Sequence, residues 1–116
     1  MPTVTITETL DGQTVAAAPG DRITVRLPEN PTTGFRWHCP AAPQCLTPES
    51  DSFEPVRGAQ VGGGGTRILS YRALRAGTDL LCLVLWRAWE GESSITRRFE
   101  VTIAIRAADS AAAERP

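Results

Sequence analysis

One histidine and two cysteines, close together in the sequence, have the most evident capacity for chemistry: His38, Cys39 and Cys45. A histidine could serve in a catalytic triad, and the three side chains together are conceivable zinc ligands. However, a catalytic histidine needs a positioned partner, and the chain has no second histidine. Adjacent residues of a strand also project to opposite faces, so His38 and Cys39 are wrongly spaced for a common metal site. We therefore expect no metal, no cofactor and no enzymatic activity.

A run of four glycines followed by Thr66 superficially resembles a phosphate-binding loop: Gly62, Gly63, Gly64 and Gly65. Phosphate-binding loops of this kind end in Gly-Lys-Ser or Gly-Lys-Thr and lead into a helix. All twelve cationic residues of this chain are arginines, and no helical pattern follows the run. The sequence therefore argues against nucleotide binding, and the absence of lysine also excludes Schiff-base chemistry.

Composition and charge exclude further classes of partner. The 116-residue chain has a net charge of −1, and its cations form no basic stripe of the kind that nucleic-acid binding needs. A hydrophobic content of 41% is ordinary for a soluble globular domain. No apolar run approaches the roughly 18 residues of a membrane span. The N-terminus lacks signal-peptide features, so we expect a cytoplasmic protein, or a periplasmic or secreted one if a signal has been removed.

The cysteines do not identify a redox compartment. Cys39 and Cys45 bracket a short segment and could form a disulfide if their Cβ atoms approach each other. Cys82 lies in the most apolar run of the chain, where we expect a buried free thiol.

The elements that must position these residues are strands, because apolar and polar residues alternate along most of the chain. Ile23, Val25 and Leu27 point one way from such a strand, and Pro28 is expected to end it. Residues 40–51 carry three prolines and are expected to form a loop. The predicted strands cover residues 3–8, 13–17, 22–27, 35–39, 52–56, 66–74, 80–86 and 95–106.

The spacing of these strands predicts the architecture. Turn signals recur about every eight to twelve residues, and no segment shows a sustained helical stripe. The sequence therefore predicts an all-β, immunoglobulin-like antiparallel β-sandwich of seven to eight strands, with Trp37 as a large aromatic in its core. A closed barrel is the alternative. We expect one domain over residues 1–106 and a flexible tail over residues 107–116.

Three loops of this scaffold carry residues suited to binding. The first loop is stiffened by Pro31 and tipped by Thr32 and Thr33. The second loop is the glycine run, which leaves its backbone groups uncovered by side chains. The third places Trp89 beside Arg87, and these residue types dominate binding hot spots. Each loop alone would be an ordinary turn. In an immunoglobulin-like sandwich such loops can emerge at the same end, so together they predict a composite binding edge.

In combination, these motifs resemble the chagasin family of cysteine peptidase inhibitors. The resemblance runs from the first strand to about Arg106, with the motifs in the family's order. The first motif matches fully and the second matches as a glycine-rich turn ending in threonine. The third departs from the family, because Ala88 stands where a proline is usual. The matching residues are Asn30, Pro31, Thr32, Thr33, Gly34 and Phe35 with Trp37; then Gly62, Gly63, Gly64, Gly65 and Thr66; then Arg87 and Trp89.

The resemblance implies reversible inhibition of a papain-like cysteine peptidase by a wedge of three loops, residues 30–35, 62–66 and 87–91. Thr32 and Thr33 would cover the catalytic Cys–His pair of the peptidase, and the glycines would make main-chain contacts along its substrate groove. Trp89 would pack on an aromatic wall of the cleft, with Arg87 at the rim.

The expected partner is therefore a papain-like peptidase, and the inhibitor is expected to be a monomer. Without the usual proline, the third loop has more conformational freedom to lose, at about 0.4–1 kcal/mol. The alternative function is a non-inhibitory, immunoglobulin-like protein-binding module that uses the same loop edge.

Overall fold

The computed structural model describes residues 3–55 and 64–107. Within these residues the chain forms eight strands in two four-stranded sheets, which confirms the predicted sandwich rather than a closed barrel. The strands are β1 (Thr3–Thr7), β2 (Thr14–Ala17), β3 (Arg22–Glu29), β4 (Arg36–His38), β5 (Leu46–Pro55), β6 (Gly65–Ala73), β7 (Gly77–Trp86) and β8 (Arg97–Ile105).

The described helices are three short 3₁₀ segments, Glu8–Leu10, Pro31–Thr33 and Ala88–Ser94. None of these helices has the length and apolar character needed to cross a bilayer. Most of the predicted tail, residues 108–116, lies outside the described residues.

The two sheets have the strand orders β1-β3-β6-β5 and β2-β8-β7-β4. Most neighbouring strands are antiparallel, as predicted, but two pairs are not. β1 runs parallel to β3, and β2 runs parallel to β8. Both exceptions involve the short N-terminal strands, which pair with the sheet edges through longer connections instead of tight hairpins. The predicted antiparallel sandwich is therefore confirmed, with the difference that these two strands pair in parallel.

The core lies between the sheets and follows the predicted alternation. In β3 the side chains of Ile23, Val25 and Leu27 are at most 1% exposed. In β8 the inward face is formed by Phe99, Val101, Ile103 and Ile105. Trp37 is 6% exposed, so its position as a core aromatic is confirmed.

The predicted end of β3 was wrong. β3 does not end at Pro28 but continues through it to Glu29. β1 ends opposite Arg26, so one side of β3 is unpaired at Pro28, where a strand tolerates the missing N–H.

The predicted loop over residues 40–51 is also wrong, because β5 begins at Leu46. β5 is an edge strand with a register irregularity between Pro48 and Ser50, and its middle residues are exposed. Alternation is therefore weak in its sequence.

The most apolar strand, β7, lies between β8 and β4 as expected for a central strand. Its burial alternates, however, because Leu81 and Leu83 face the core while Leu80 is 58% exposed. Cys82 shares the outer face and is half-buried, so the prediction of a buried thiol was wrong. Cys39 and Cys45 are free cysteines, not a disulfide.

Candidate functional site: three loops at one end of the sandwich

The three predicted loops are called loop 1 (residues 30–35), loop 2 (residues 62–66) and loop 3 (residues 87–91). Loop 1 leaves β3 at Glu29, which is paired with Gly65 at the start of β6. It enters β4 at Arg36, which is paired with Trp86 at the end of β7. Loop 1 therefore crosses from one sheet to the other, with loop 2 beside its start and loop 3 beside its end. Gly62 and Gly63 lie outside the described residues.

Loop 1 is organised by the side chain of Asn30. Its Oδ1 accepts hydrogen bonds from the backbone N–H of Thr32 at 3.1 Å and from the Thr32 hydroxyl at 2.6 Å. The Thr33 hydroxyl donates to the Asn30 carbonyl at 2.7 Å and accepts from the Phe35 N–H at 3.3 Å. Asparagine commonly caps turns in this way. Both threonines are exposed, but their hydroxyl hydrogens are used within the loop, which leaves oxygen lone pairs and methyl groups toward solvent.

Loop 1 and loop 3 are packed directly against each other at Gly34 and Trp89. Gly34 has φ +84°, a conformation that favours glycine. A β-carbon at this position would stand 2.5 Å from Cη2 of Trp89. Trp89 nevertheless remains 71% exposed. One part of the indole is therefore held by loop 1 while most of it is open to a partner.

Arg87 forms a second connection between the same two loops. Its Nε donates to the Thr33 carbonyl at 3.1 Å. Its guanidinium carbon lies 4.4 Å from the ring centroid of Phe35 and 5.9 Å from that of Trp89, both within cation–π range. Arg87 also forms an exposed ion pair with Glu90 at 3.5 Å. This one side chain thus joins the backbone of loop 1 to aromatic rings of both loops.

Loop 3 is closed by Ser94, which sequence reasoning did not single out. The Ser94 hydroxyl accepts from the Arg87 N–H at 2.9 Å and donates to the Gly91 carbonyl at 2.6 Å. The N–H groups of Glu90 and Gly91 donate back to the Arg87 carbonyl. Loop 3 is therefore a compact turn that does not depend on a proline at residue 88.

The described part of loop 2 is packed into the sheet. Gly65 is buried at the start of β6, and a β-carbon there would clash with the Glu54 carbonyl and the Phe53 ring. A β-carbon on Gly64 would stand 3.3 Å from the Glu29 carbonyl. Close backbone packing against β5 and β3 therefore accounts for glycine at both positions. Contact of Gly64, Gly65 and Thr66 with a peptidase stays a prediction.

Beneath loop 1 lies an ion pair that the sequence reasoning missed. The side chain of Glu29 is fully buried, and its Oε2 accepts from Nη2 and Nε of Arg67 at 2.6 and 3.0 Å. This hydrogen bonding raises the pKa of the Arg67 guanidinium. The other carboxylate oxygen of Glu29, Oε1, accepts from the Trp37 N–H at 2.9 Å. The alternation that buries Val25 and Leu27 also places residue 29 on the inward face, so this signal was present in the sequence.

His38 and Cys39, the residues first considered for catalysis, lie outside the three loops and have structural roles. His38 stacks on Trp86 with ring centroids 4.5 Å apart and an interplanar angle of 7°. Burial raises the pKa of the Cys39 thiol, which disfavours a reactive thiolate. Among residues 3–55 and 64–107, no group of three potential metal ligands comes together.

A cleft of about 660 Å³ opens between the edge strands β4 and β5, on the side of the sandwich. It is lined by Cys39 and Tyr71, and burial of the phenol, with a smaller effect of the neighbouring Cys39, raises the pKa of Tyr71. Its acidic groups are already paired, Glu49 with Arg72 and Asp51 with Arg67. The cleft therefore presents no unpaired carboxylate, and the loop edge remains the better candidate for a binding site.

Known proteins resemble this chain in both sequence and fold. Chagasin from Trypanosoma cruzi is 32% identical over 101 residues, which cover 83% of this chain and 92% of chagasin. Amoebiasin-2 from Entamoeba histolytica is 28% identical over 103 residues, covering 87% of this chain and 84% of that protein. The crystal structure of a cysteine protease inhibitor from Entamoeba histolytica matches with a TM-score of 0.80 and 26% identity, covering 91% of this chain and 97% of that one.

A family model described as Chagasin family peptidase inhibitor I42 matches residues 16–103. The match includes all three loops and the strands that support them. This chain belongs to the chagasin family of peptidase inhibitors.

Proposed function

We propose that this protein is a reversible inhibitor of papain-like cysteine peptidases and that loops 1, 2 and 3 together plug the active-site cleft. Membership of the family supports the activity, and a structural neighbour is itself a cysteine protease inhibitor. The arrangement of the loops supports the mechanism, because they leave the sandwich side by side at one end.

The observation that carries the proposal is the connection of loop 1 to loop 3 through Arg87 and Trp89. The Arg87–Thr33 hydrogen bond and the Trp89–Gly34 contact hold the two loops together before any partner binds. Immobilising a free loop or a long side chain on binding costs free energy. An edge that is already held in place avoids much of this cost, which favours tight, reversible association.

Loop 1 is also built to resist cleavage by the enzyme that it blocks. Cysteine peptidases attack a peptide carbonyl whose oxygen moves toward hydrogen-bond donors of the enzyme. The Asn30 carbonyl already accepts from the N–H and hydroxyl of Thr33, and the Thr33 carbonyl accepts from Arg87. The carbonyls at both ends of the tip are thus occupied within the inhibitor. Loop 1 can therefore fill the cleft without presenting the peptide bonds that follow Asn30 and Thr33 as substrates.

The remaining side chains have complementary roles in this proposal. Thr32 and Thr33 place small exposed groups over the catalytic Cys–His pair. Trp89 supplies a large, mostly exposed ring for an aromatic wall of the cleft, and Arg87 supports it from the rim. Loop 2 contributes main-chain contacts along the substrate groove.

Titration of papain with the purified protein tests the proposed function. We expect competitive inhibition that reverses on dilution, with the inhibitor recovered intact by mass spectrometry. Absence of inhibition at micromolar protein, across a panel of papain-like enzymes, would overturn the proposal. Recovery of a partner that is not a peptidase would instead favour the non-inhibitory binding module.

A further inference from the structure

A buried carboxylate ties together the two ends of loop 1. Glu29 is the last residue of β3, and its Oε1 accepts from the backbone N–H of Trp37 in β4. The indole N–H of Trp37 donates to the Pro28 carbonyl at 2.8 Å. Both N–H groups of Trp37 are therefore bonded to the two residues that precede loop 1. Loop 1 is closed across its base by residues on either side of it.

The same carboxylate is bonded to the strand that follows loop 2. Arg67 lies two residues after Gly65 in β6 and donates twice to Oε2 of Glu29. Arg67 is in turn fixed by Asp51 in β5 at 2.9 Å and lies over the Phe53 ring. Glu29 thus connects the base of loop 1, through its two oxygens, to both β4 and β6.

The two ends of loop 1 differ in how they are held relative to loop 2. The start is fixed by the β3–β6 ladder, in which Glu29 pairs with Gly65, but the end at Phe35 has no such ladder to the described residues of loop 2. A cleft of about 300 Å³ lies between the two loops, lined by Thr33 and Phe35 on one side and by Gly64 and Gly65 on the other. Apolar contact across this cleft is consequently incomplete. Beneath this cleft, the Glu29 carboxylate joins the Trp37 N–H, just after loop 1, to Arg67, just after loop 2.

Stability alone is a weak reason for such an ion pair. The Glu29 side chain is 0% exposed and that of Arg67 is 12% exposed, so both charges are largely removed from water. Replacing a buried ion pair with well-packed apolar residues is often neutral or stabilising, whereas fixing one particular arrangement is a role such pairs do fill.

We propose that Glu29 is a positioning residue for the inhibitory edge: its carboxylate, paired with Arg67, holds the end of loop 1, at Phe35 and Trp37, at the spacing from Gly64 and Gly65 that the peptidase cleft requires. This inference rests on the proposed function for its effect on inhibition, but its effect on loop geometry can be measured without a peptidase. Glu29 itself need not touch the target, since its side chain is buried beneath the edge.

The test compares Glu29→Gln and the double variant Glu29→Gln with Arg67→Met, which removes both charges and leaves no buried charge unpaired. Glu49→Gln is the matched control, because Glu49 pairs with Arg72 across the same β5–β6 ladder but is far from the loops. The measurements are the inhibition constant for papain, thermal unfolding, and the amide NMR shifts and hydrogen exchange of Gly34, Phe35 and Trp37.

We expect both Glu29 variants to remain folded at the assay temperature and to raise the inhibition constant about tenfold or more, through lost pre-organisation of the edge. Faster exchange of the Trp37 N–H and shifted loop 1 amides should accompany this change, and Glu49→Gln should alter neither. Arg67→Lys, which keeps the charge but not the two-pronged geometry, should recover part of the lost inhibition relative to Arg67→Met.

Two outcomes would overturn the inference. One is an unchanged inhibition constant in folded Glu29→Gln and in the double variant. The other is a loss of thermal stability with loop 1 shifts and Trp37 exchange as in the parent protein, which would show a purely structural ion pair. If the parent protein inhibits no papain-like enzyme, the proposed function fails. The NMR comparison then still decides whether Glu29 positions loop 1.

Discussion

Trp89 lies against Gly34 so closely that no other residue type fits at position 34 without moving the indole. The φ of +84° and the 2.5 Å approach of Cη2 to a would-be β-carbon are independent reasons for the glycine. The first concerns the backbone of loop 1 alone, whereas the second concerns its contact with loop 3. Substitutions can separate the two.

Gly34→Ala should impair both stability and inhibition. The left-handed conformation should cost about 1–2 kcal/mol for a residue with a β-carbon. The added methyl should also displace Trp89 and so raise the inhibition constant. Both effects can be measured by chemical denaturation and by titration of papain.

Gly12→Ala is the matched control for this substitution. Gly12 has φ +80°, and an added β-carbon there meets nothing within 4 Å. Gly12→Ala should reduce the free energy of unfolding by a similar amount while leaving the inhibition constant unchanged. Equal inhibition constants for the two variants would mean that the Gly34–Trp89 contact has no part in binding.

Trp89→Ala should weaken inhibition by about 2 kcal/mol or more, which is roughly 30-fold, if the exposed indole is an anchor in the cleft. The fold should be little affected, since Trp89 is 71% exposed. Leu80→Ala is the control, because Leu80 is 58% exposed on β7 and lies six residues before the end that leads into loop 3. An unchanged inhibition constant for folded Trp89→Ala would remove Trp89 from the site.

Much of this arrangement was predictable because alternation reports which strand face is buried. Ile23, Val25 and Leu27 are predicted to share one strand face, and that face is the buried one. Extending the same period by one step reaches Glu29. The predicted end of the strand at Pro28 leaves Glu29 out of that face. A proline limits only the pairing of its own N–H, so it does not end a strand where that side is unpaired.

Edge strands are harder to predict for a physical reason. β5 exposes both faces over most of its length, so it lacks a hydrophobic period. Ion pairs to other strands of the same sheet supplement its backbone ladder with β6. They join Glu49 to Arg72 of β6 and Arg22 of β3, Asp51 to Arg67 of β6, and Glu54 to Arg26 of β3. The sequence shows the charges but not their partners, which come from distant segments. The contacts of Arg87 with Thr33 and Phe35 were unpredictable for the same reason.

Arg87→Met should weaken inhibition by about 1–2 kcal/mol while retaining the aliphatic stem of the side chain. The substitution removes the hydrogen bond to the Thr33 carbonyl and the cation–π contact with Phe35. Arg87→Lys should restore little of the inhibition lost in Arg87→Met, because an ammonium group lacks the planar geometry that makes both contacts. The measurements are the inhibition constant and the NMR shift of the Trp89 indole N–H.

Arg75→Met controls for the loss of one positive charge. Arg75 is exposed in the turn between β6 and β7, at the opposite end of the sandwich from loop 1. It should inhibit like the parent protein. Equal weakening by Arg75→Met and Arg87→Met would indicate long-range electrostatic attraction instead of the local connection between loops.

Alkaline pH should destabilise the fold. Burial raises the pKa of the thiols of Cys39 and Cys82 and of the phenol of Tyr71. Above the ordinary thiol pKa of 9.0, the unfolded chain loses protons that the folded protein retains. The unfolded state then binds fewer protons, so the free energy of unfolding falls as pH rises. The contribution of the two thiols is present below pH 9.0 and is lost progressively above it, and that of the Tyr71 phenol is present below pH 10.0 and is lost above it.

Chemical denaturation from about pH 7 to pH 10.5 measures this effect directly. Cys39→Ser should reduce the slope above pH 9.0 and Tyr71→Phe should reduce it above pH 10.0, the ordinary pKa values of a thiol and a phenol, because each substitution removes one group whose ionisation burial opposes. Inhibition should follow the folded fraction alone, since Cys39 and Tyr71 line the side cleft and Cys82 faces outward from β7, none of them at the loop edge. A free energy of unfolding that stays constant or rises across this range would contradict the raised pKa values.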